Sequence, residues 1–190
     1  MTMPTFKDFA KELGGWSLVA AKATLEELVE TLLVDEKVER HAANVSLKKL
    51  SNSKAEDGNY VALTPDPRSR TMLAVAVRKR RWCIVYRTLG YCDGGDWDWT
   101  RATAMRVAAT LDCESIGCCC GDHGMATWLF DGGDLLEELP PERPPVHKAF
   151  QARKISLPIC FVGTTPAGLY VDVGSLQEIE QADEIVCRVA

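Results

Sequence analysis

Apolar side chains along this chain recur at two spacings, one near the helical period and one of two residues, and the switches between them divide it into a few helices and many short strands. Phe6, Phe9, Ala10 and Leu13 keep helical spacing up to Gly14-Gly15, which predicts a short amphipathic helix over 5–13. Residues 16–21 read as a strand. Thr24 then stands as the cap of a second helix carrying Leu25, Leu28, Val29, Leu32 and Leu33, with Glu27 at the capping-box position. From 35 to 54 the periodicity weakens, and Val38, Ala42, Val45 and Leu50 are compatible with further helix until the turn Asp57-Gly58-Asn59.

Three segments rich in Val, Ile, Tyr and Trp follow, at 60–63, 71–77 and 82–89, and they predict an antiparallel meander. A Gly- and Asp-rich loop over 92–98 leads into a helix expected at 100–111, capped by Asp98 or Thr100. Its apolar positions are Ala102, Ala104, Met105, Val107, Ala109 and Leu111. The strand-like runs 115–120 and 125–130 flank Gly121-Asp122-His123-Gly124, the strongest hairpin signal in the chain. Asp131-Gly132-Gly133-Asp134 makes another turn, followed by a short extension over 135–139. Beyond the Pro-rich connector 140–145 the pattern gives a helix around 146–153, strands near 159–162, 169–173 and 184–189, and a capped turn or helix at 175–179.

These elements predict an α+β fold: a mainly antiparallel mixed sheet built from hairpins, covered mainly on one side by helices, in a single compact domain spanning 1–190. The residues after the connector are too few for a core of their own and are expected to pack on the rest.

Composition narrows the function classes. Among 190 residues, 46% are hydrophobic and 26% charged, which matches a globular chain and removes disorder as an explanation. The net charge of -5 disfavours broad adhesion to nucleic acid. No apolar run approaches the roughly 20 residues that a membrane crossing requires, so no membrane role is expected. The start shows no secretory pattern, and the eight cysteines read as reduced thiols in a cytoplasm.

The segment Asp93-Gly94-Gly95-Asp96-Trp97-Asp98-Trp99 sets indoles among carboxylates, and Asp96, Trp97, Asp98 and Trp99 are the candidate binding residues. Indole faces stack on apolar or planar partners, while carboxylates orient hydroxyls or pair with cations. The competing reading has Asp98 capping the helix and the indoles stapling the loop to the core. A second candidate is metal binding by Cys118, Cys120 and His123, since thiolate and imidazole suit zinc or copper. Strand alternation opposes it, because Cys119 must face away from Cys118 and Cys120, and no second ligand pair completes a set. These cysteines read better as small apolar filler.

Arg78-Lys79-Arg80-Arg81 fits a solvated hairpin tip, and the acidic group Asp131, Asp134, Glu137 and Glu138 fits a solvated face. His41, His123 and His147 have no companion acid, base or nucleophile evident in sequence, and no phosphate-binding, dinucleotide-binding or hydrolase motif occurs. The expectation is therefore a non-catalytic binding or interaction module, without a cofactor. It would meet a protein partner through the Trp97 to Trp99 loop or an exposed sheet surface. The alternative is an enzyme or metal-binding protein using the Cys118, Cys120 and His123 hairpin. Neither the partner's identity nor the oligomeric state is legible.

Overall fold

The computed structural model describes residues 16–34, 38–45, 60–62, 70–77, 81–88, 95–121, 124–139, 149–150, 152–155, 162–165, 168–172 and 179–187. The expected helix at 5–13 lies outside them, as does the expected turn or helix at 175–179 except for Ile179, which begins a strand. The elements are β1 (Trp16–Ala21), α1 (Leu25–Leu33), β2 (Val38–Val45), β3 (Tyr60–Ala62), β4 (Arg70–Val77), β5 (Cys83–Thr88), α2 (Gly95–Leu111), β6 (Glu114–Gly121), β7 (Gly124–Asp131), β8 (Asp134–Leu139), β9 (Val162–Thr165), β10 (Gly168–Asp172) and β11 (Ile179–Cys187). Every described strand pair is antiparallel. The large open sheet runs β2-β11-β4-β5-β1-β6-β7-β8, and a small one runs β3-β10-β9. The α+β class therefore holds.

β1 lies at the centre, hydrogen-bonded to β5 on one side and β6 on the other. Its residues Ser17, Leu18, Val19, Ala20 and Ala21 are all fully buried, which requires cover on both faces of the sheet. One face carries Val19 and Ala21 with Cys83 and Val85 of β5, Cys119 of β6, and Ala126, Trp128 and Phe130 of β7. Both helices pack there: α1 through Leu25, Leu28, Val29 and Leu32, α2 through Ala104, Val107 and Ala108. On the other face Leu18, Ile84, Ile116 and Cys118 are fully buried too. The segment 149–155 is tied to the start of β6 by Arg153 Nε, which donates to Glu114 Oε2 at 2.8 Å, and its Phe150 and Ile155 are fully buried.

Local chemistry explains the element ends. Thr24 caps α1 with a complete capping box: its backbone N–H donates to Glu27 Oε2 at 2.8 Å, and Glu27 N–H donates back to Thr24 Oγ1 at 3.3 Å. At the end of α2, Asp112 takes a left-handed φ of 45° and Cys113 N–H reaches the Ala108 carbonyl at 3.1 Å, the hydrogen bond of a Schellman stop. The β7–β8 turn places Gly132 and Gly133 at φ of 56° and 97°, where glycine avoids the strain of a side chain.

The structure corrects several expectations. Residues 38–45 form a strand, not a helix. Val38, Ala42 and Val45 imitate helical spacing, but the segment pairs with β11, and Arg40 reaches across to Glu26 and Glu30 of α1 at 3.3 and 3.9 Å. β4 and β5 pair as expected, yet β3 leaves the meander and pairs with β10. The intervening Thr64-Pro65-Asp66-Pro67 has two residues without an N–H, poor material for a tight hairpin. β11 begins at Ile179, earlier than 184, and lies inside the large sheet between β2 and β4. The contact face of α2 is Thr100, Thr103, Ala104, Val107 and Ala108, while Ala102, Met105 and Ala109 are exposed.

The approach of α2 to β6 is close enough to depend on Gly117. A Cβ there would lie 3.0 Å from Ala104 Cβ and 3.1 Å from the Thr100 carbonyl oxygen, and the carbonyl belongs to helix backbone that cannot swing aside. Gly117→Ala is expected to cost about 1–3 kcal/mol in urea unfolding; an unchanged midpoint would contradict this seating. A pH effect follows from the α1 cap. Glu27 has its carboxyl pKa lowered, first by the Thr24 backbone hydrogen bond and then by the Thr24 hydroxyl. Its stabilisation is present above the unfolded pKa and is lost as pH falls through the lower folded one. Thermal midpoints measured from about pH 6 to pH 2 should show wild type losing its advantage over Glu27→Gln at the acid end.

Candidate functional site

The tryptophan segment is helical. α2 begins at Gly95, so Asp96, Trp97, Asp98 and Trp99 occupy its first turns and not a loop. This also overturns Asp98 or Thr100 as the cap, since both lie inside the helix. The helix extends N-terminally because Trp97 and Trp99 find apolar cover against the core cluster, which outweighs the poor helix propensity of Gly95 and Asp96. Trp97 meets Trp128 of β7 edge to face, with ring centroids 6.1 Å apart and an interplanar angle of 78°. Such a pair contributes about 0.5–1.5 kcal/mol beyond its buried area. Asp98 is exposed, and the Asp96 side chain lies outside the described residues. The structure thus gives both indoles packing contacts.

The cysteine hairpin forms as the sequence predicted, with Gly121 opposite Gly124 and Cys118, Cys119 and Cys120 opposite Thr127, Ala126 and Met125. Cys119 belongs to the helix-facing cluster, while Cys118 is buried on the other face, where Thr127 Oγ1 donates to its sulfur at 3.4 Å. Their sulfurs therefore cannot share an ion. The side chain of Cys120 and the whole of His123 lie outside the described residues. Among the described residues no three His, Cys, Asp or Glu side chains are placed to hold a metal. Cys83 similarly acts as a small buried group, its thiol donating to the Ala23 carbonyl at 3.3 Å. Of the tip Arg78-Lys79-Arg80-Arg81 only Arg81 is described, and it is exposed.

The surface least explained by packing is the end of the large sheet. β8 pairs with β7 alone, so among the described strands nothing pairs with its other edge. Residues 134–138 are exposed along their whole length. The described residues hold four exposed large apolar side chains, Val34, Met105, Leu135 and Leu136, and two of them adjoin on this one strand. The register moves from Phe130 opposite Leu135 to Leu129 opposite Glu137, leaving Leu136 without a counterpart in a β-bulge. Leu136 is 60% exposed. Asp131, Asp134, Glu137 and Glu138 surround it, and 124–139 contains no Lys or Arg.

The short strand and its acids were visible in the sequence, but their place at an edge was not. A strand of six residues after a Gly-Gly turn gives no sign of whether another strand follows beside it. Among the described residues, Ser17 Oγ, Arg106 Nε and Trp128 Nε1 are buried without a protein hydrogen-bond partner. No helix in the described residues is long and apolar enough to cross a membrane.

Because Trp97 and Trp99 pack on the core, Trp97→Ala combined with Trp99→Ala should lower stability by about 2–4 kcal/mol in chemical denaturation. A double variant of unchanged stability would return the indoles to the list of free binding groups. Compared with protein-family models, curated proteins and solved structures, the chain finds no significant match in any of the three, so its function rests on its own residues.

Proposed function

We propose that this chain is a non-catalytic interaction module that meets a protein partner through an exposed sheet surface, the β8 edge. The observation that carries this reading is the open backbone of β8 beside the exposed, bulged Leu136. An open edge offers a row of N–H and C=O groups that a second chain can pair with, and adjacent apolar side chains supply area to bury. Trp97 and Trp99 take a supporting role in this reading, holding the start of α2 against Trp128.

The reading treats 1–190 as a single domain, which the place of β11 between β2 and β4 supports. It also assigns the protein to a reducing compartment, the cytoplasm, a choice supported by the use of Cys118 and Cys119 as small buried groups on opposite faces of β6.

Leu136→Asp places a charge at the bulge without disturbing a buried group, so its thermal midpoint should stay within about 2 °C of wild type. Proteins recovered with wild type should fall at least about tenfold with this variant, since a charge at the centre of an apolar contact removes hot-spot energy. Val34→Asp, at a still more exposed position at the end of α1, should retain them. Equal recovery by wild type and Leu136→Asp in quantitative mass spectrometry would sink the β8 reading.

A further inference from the structure

We infer that the occupant of the β8 edge is an extended, basic segment of a partner protein, added as a further strand, and not a second copy of this chain. The inference rests on the interaction reading above and adds the chemistry of the partner. Three of the six residues in Asp134–Leu139 are acidic, namely Asp134, Glu137 and Glu138, and Asp131 stands opposite Asp134 across the turn. None of these carboxylates is answered by a Lys or Arg of its own hairpin. Glu114, opposite Asp131, is already engaged by Lys22 and Arg153.

Charge decides between the two occupants. Pairing β8 with β8 of another copy would gather the acidic residues of both strands into one ladder with no Lys or Arg in either 124–139 to offset them, and like charges so collected are destabilising. A strand that alternates Lys or Arg with apolar residues meets the same edge with opposite charge and brings apolar area to one face of it. The bulge acts in the same direction. By adding local twist and turning Leu136 outward, it spoils a long flat self-pairing yet leaves residues 137–139 as a regular run opposite 127–129. The edge is thus shaped against its own kind and open to a cationic strand.

The test uses the intact chain and three labelled ten-residue peptides that alternate Val with Lys, with Glu or with Ser. Fluorescence anisotropy reads binding, and amide hydrogen exchange reads protection of residues 134–139. The Lys peptide should bind and slow exchange at β8, the Glu peptide should do neither, and affinity should fall at least about tenfold between 50 and 500 mM salt. Glu137→Lys with Glu138→Lys, both at exposed positions, should reverse the preference between the Lys and Glu peptides.

Binding of the Lys peptide without β8 protection, or with equal affinity for the charge-reversed variant, would overturn the inference as adhesion elsewhere. Equal protection by the Ser peptide would overturn the basic-partner inference while leaving the interaction reading intact. Protection by none of the three would remove both. Concentration-dependent dimerisation with β8 protection, read by sedimentation equilibrium, would replace the basic segment with a second copy.

Discussion

A strand hydrogen-bonded along both edges and buried on both faces leaves little freedom to anything around it, and β1 is such a strand. Five consecutive residues, Ser17 to Ala21, have no exposed surface, so β5 and β6 must flank it and each face must be covered. A slip of one residue in its register would turn Val19 and Ala21 from the helix face to the opposite one, exchanging places with Leu18 and Ala20. The helices are therefore fixed to one side. Small residues on β1 and β6 then let α2 settle close, with Ala104 over Gly117 and Ser115 Oγ donating to the Ala104 carbonyl at 2.7 Å.

This central packing accounts for the cysteines. Positions in the middle strands demand small, weakly polar side chains on both faces, and Cys meets that demand next to Ala and Ser. Cys118 and Cys119 fill opposite faces of β6 for the same reason that Leu18 and Val19 do so on β1. Desolvation raises the pKa of the half-buried Cys113 thiol, a shift toward the inert protonated form. At Cys83, Cys118 and Cys119 the sulfurs serve packing.

Constraint fades outward from β1. At β8 residues 134–138 are exposed and the composition turns acidic. The contrast is what gives this edge its interest: central strands are specified by volume, whereas the outer one is specified by charge and by a bulge. An edge so composed resists collapse onto identical neighbours while keeping its backbone groups available.

The elements governed by local physics could be read from the chain. Thr24 and Glu27 announced the start of α1, Gly121 and Gly124 framed the β6–β7 hairpin, and Gly132-Gly133 gave the β7–β8 turn, because each depends on contacts between residues near in sequence. The indole-bearing turn of α2 was misplaced, since Gly95 and Asp96 are weak helix formers and only the distant Trp128 and the core reward their winding. Helical spacing in 38–45 misled for a similar reason: that strand exists through its pairing with β11, far along the chain. Sequence alone determined the antiparallel α+β character, the capped first helix and the opposed faces of Cys118 and Cys119. Tertiary structure alone decided strand order, the central seat of β1 and the exposure of β8, because hydrogen bonds between strands join residues whose local sequences carry no record of one another.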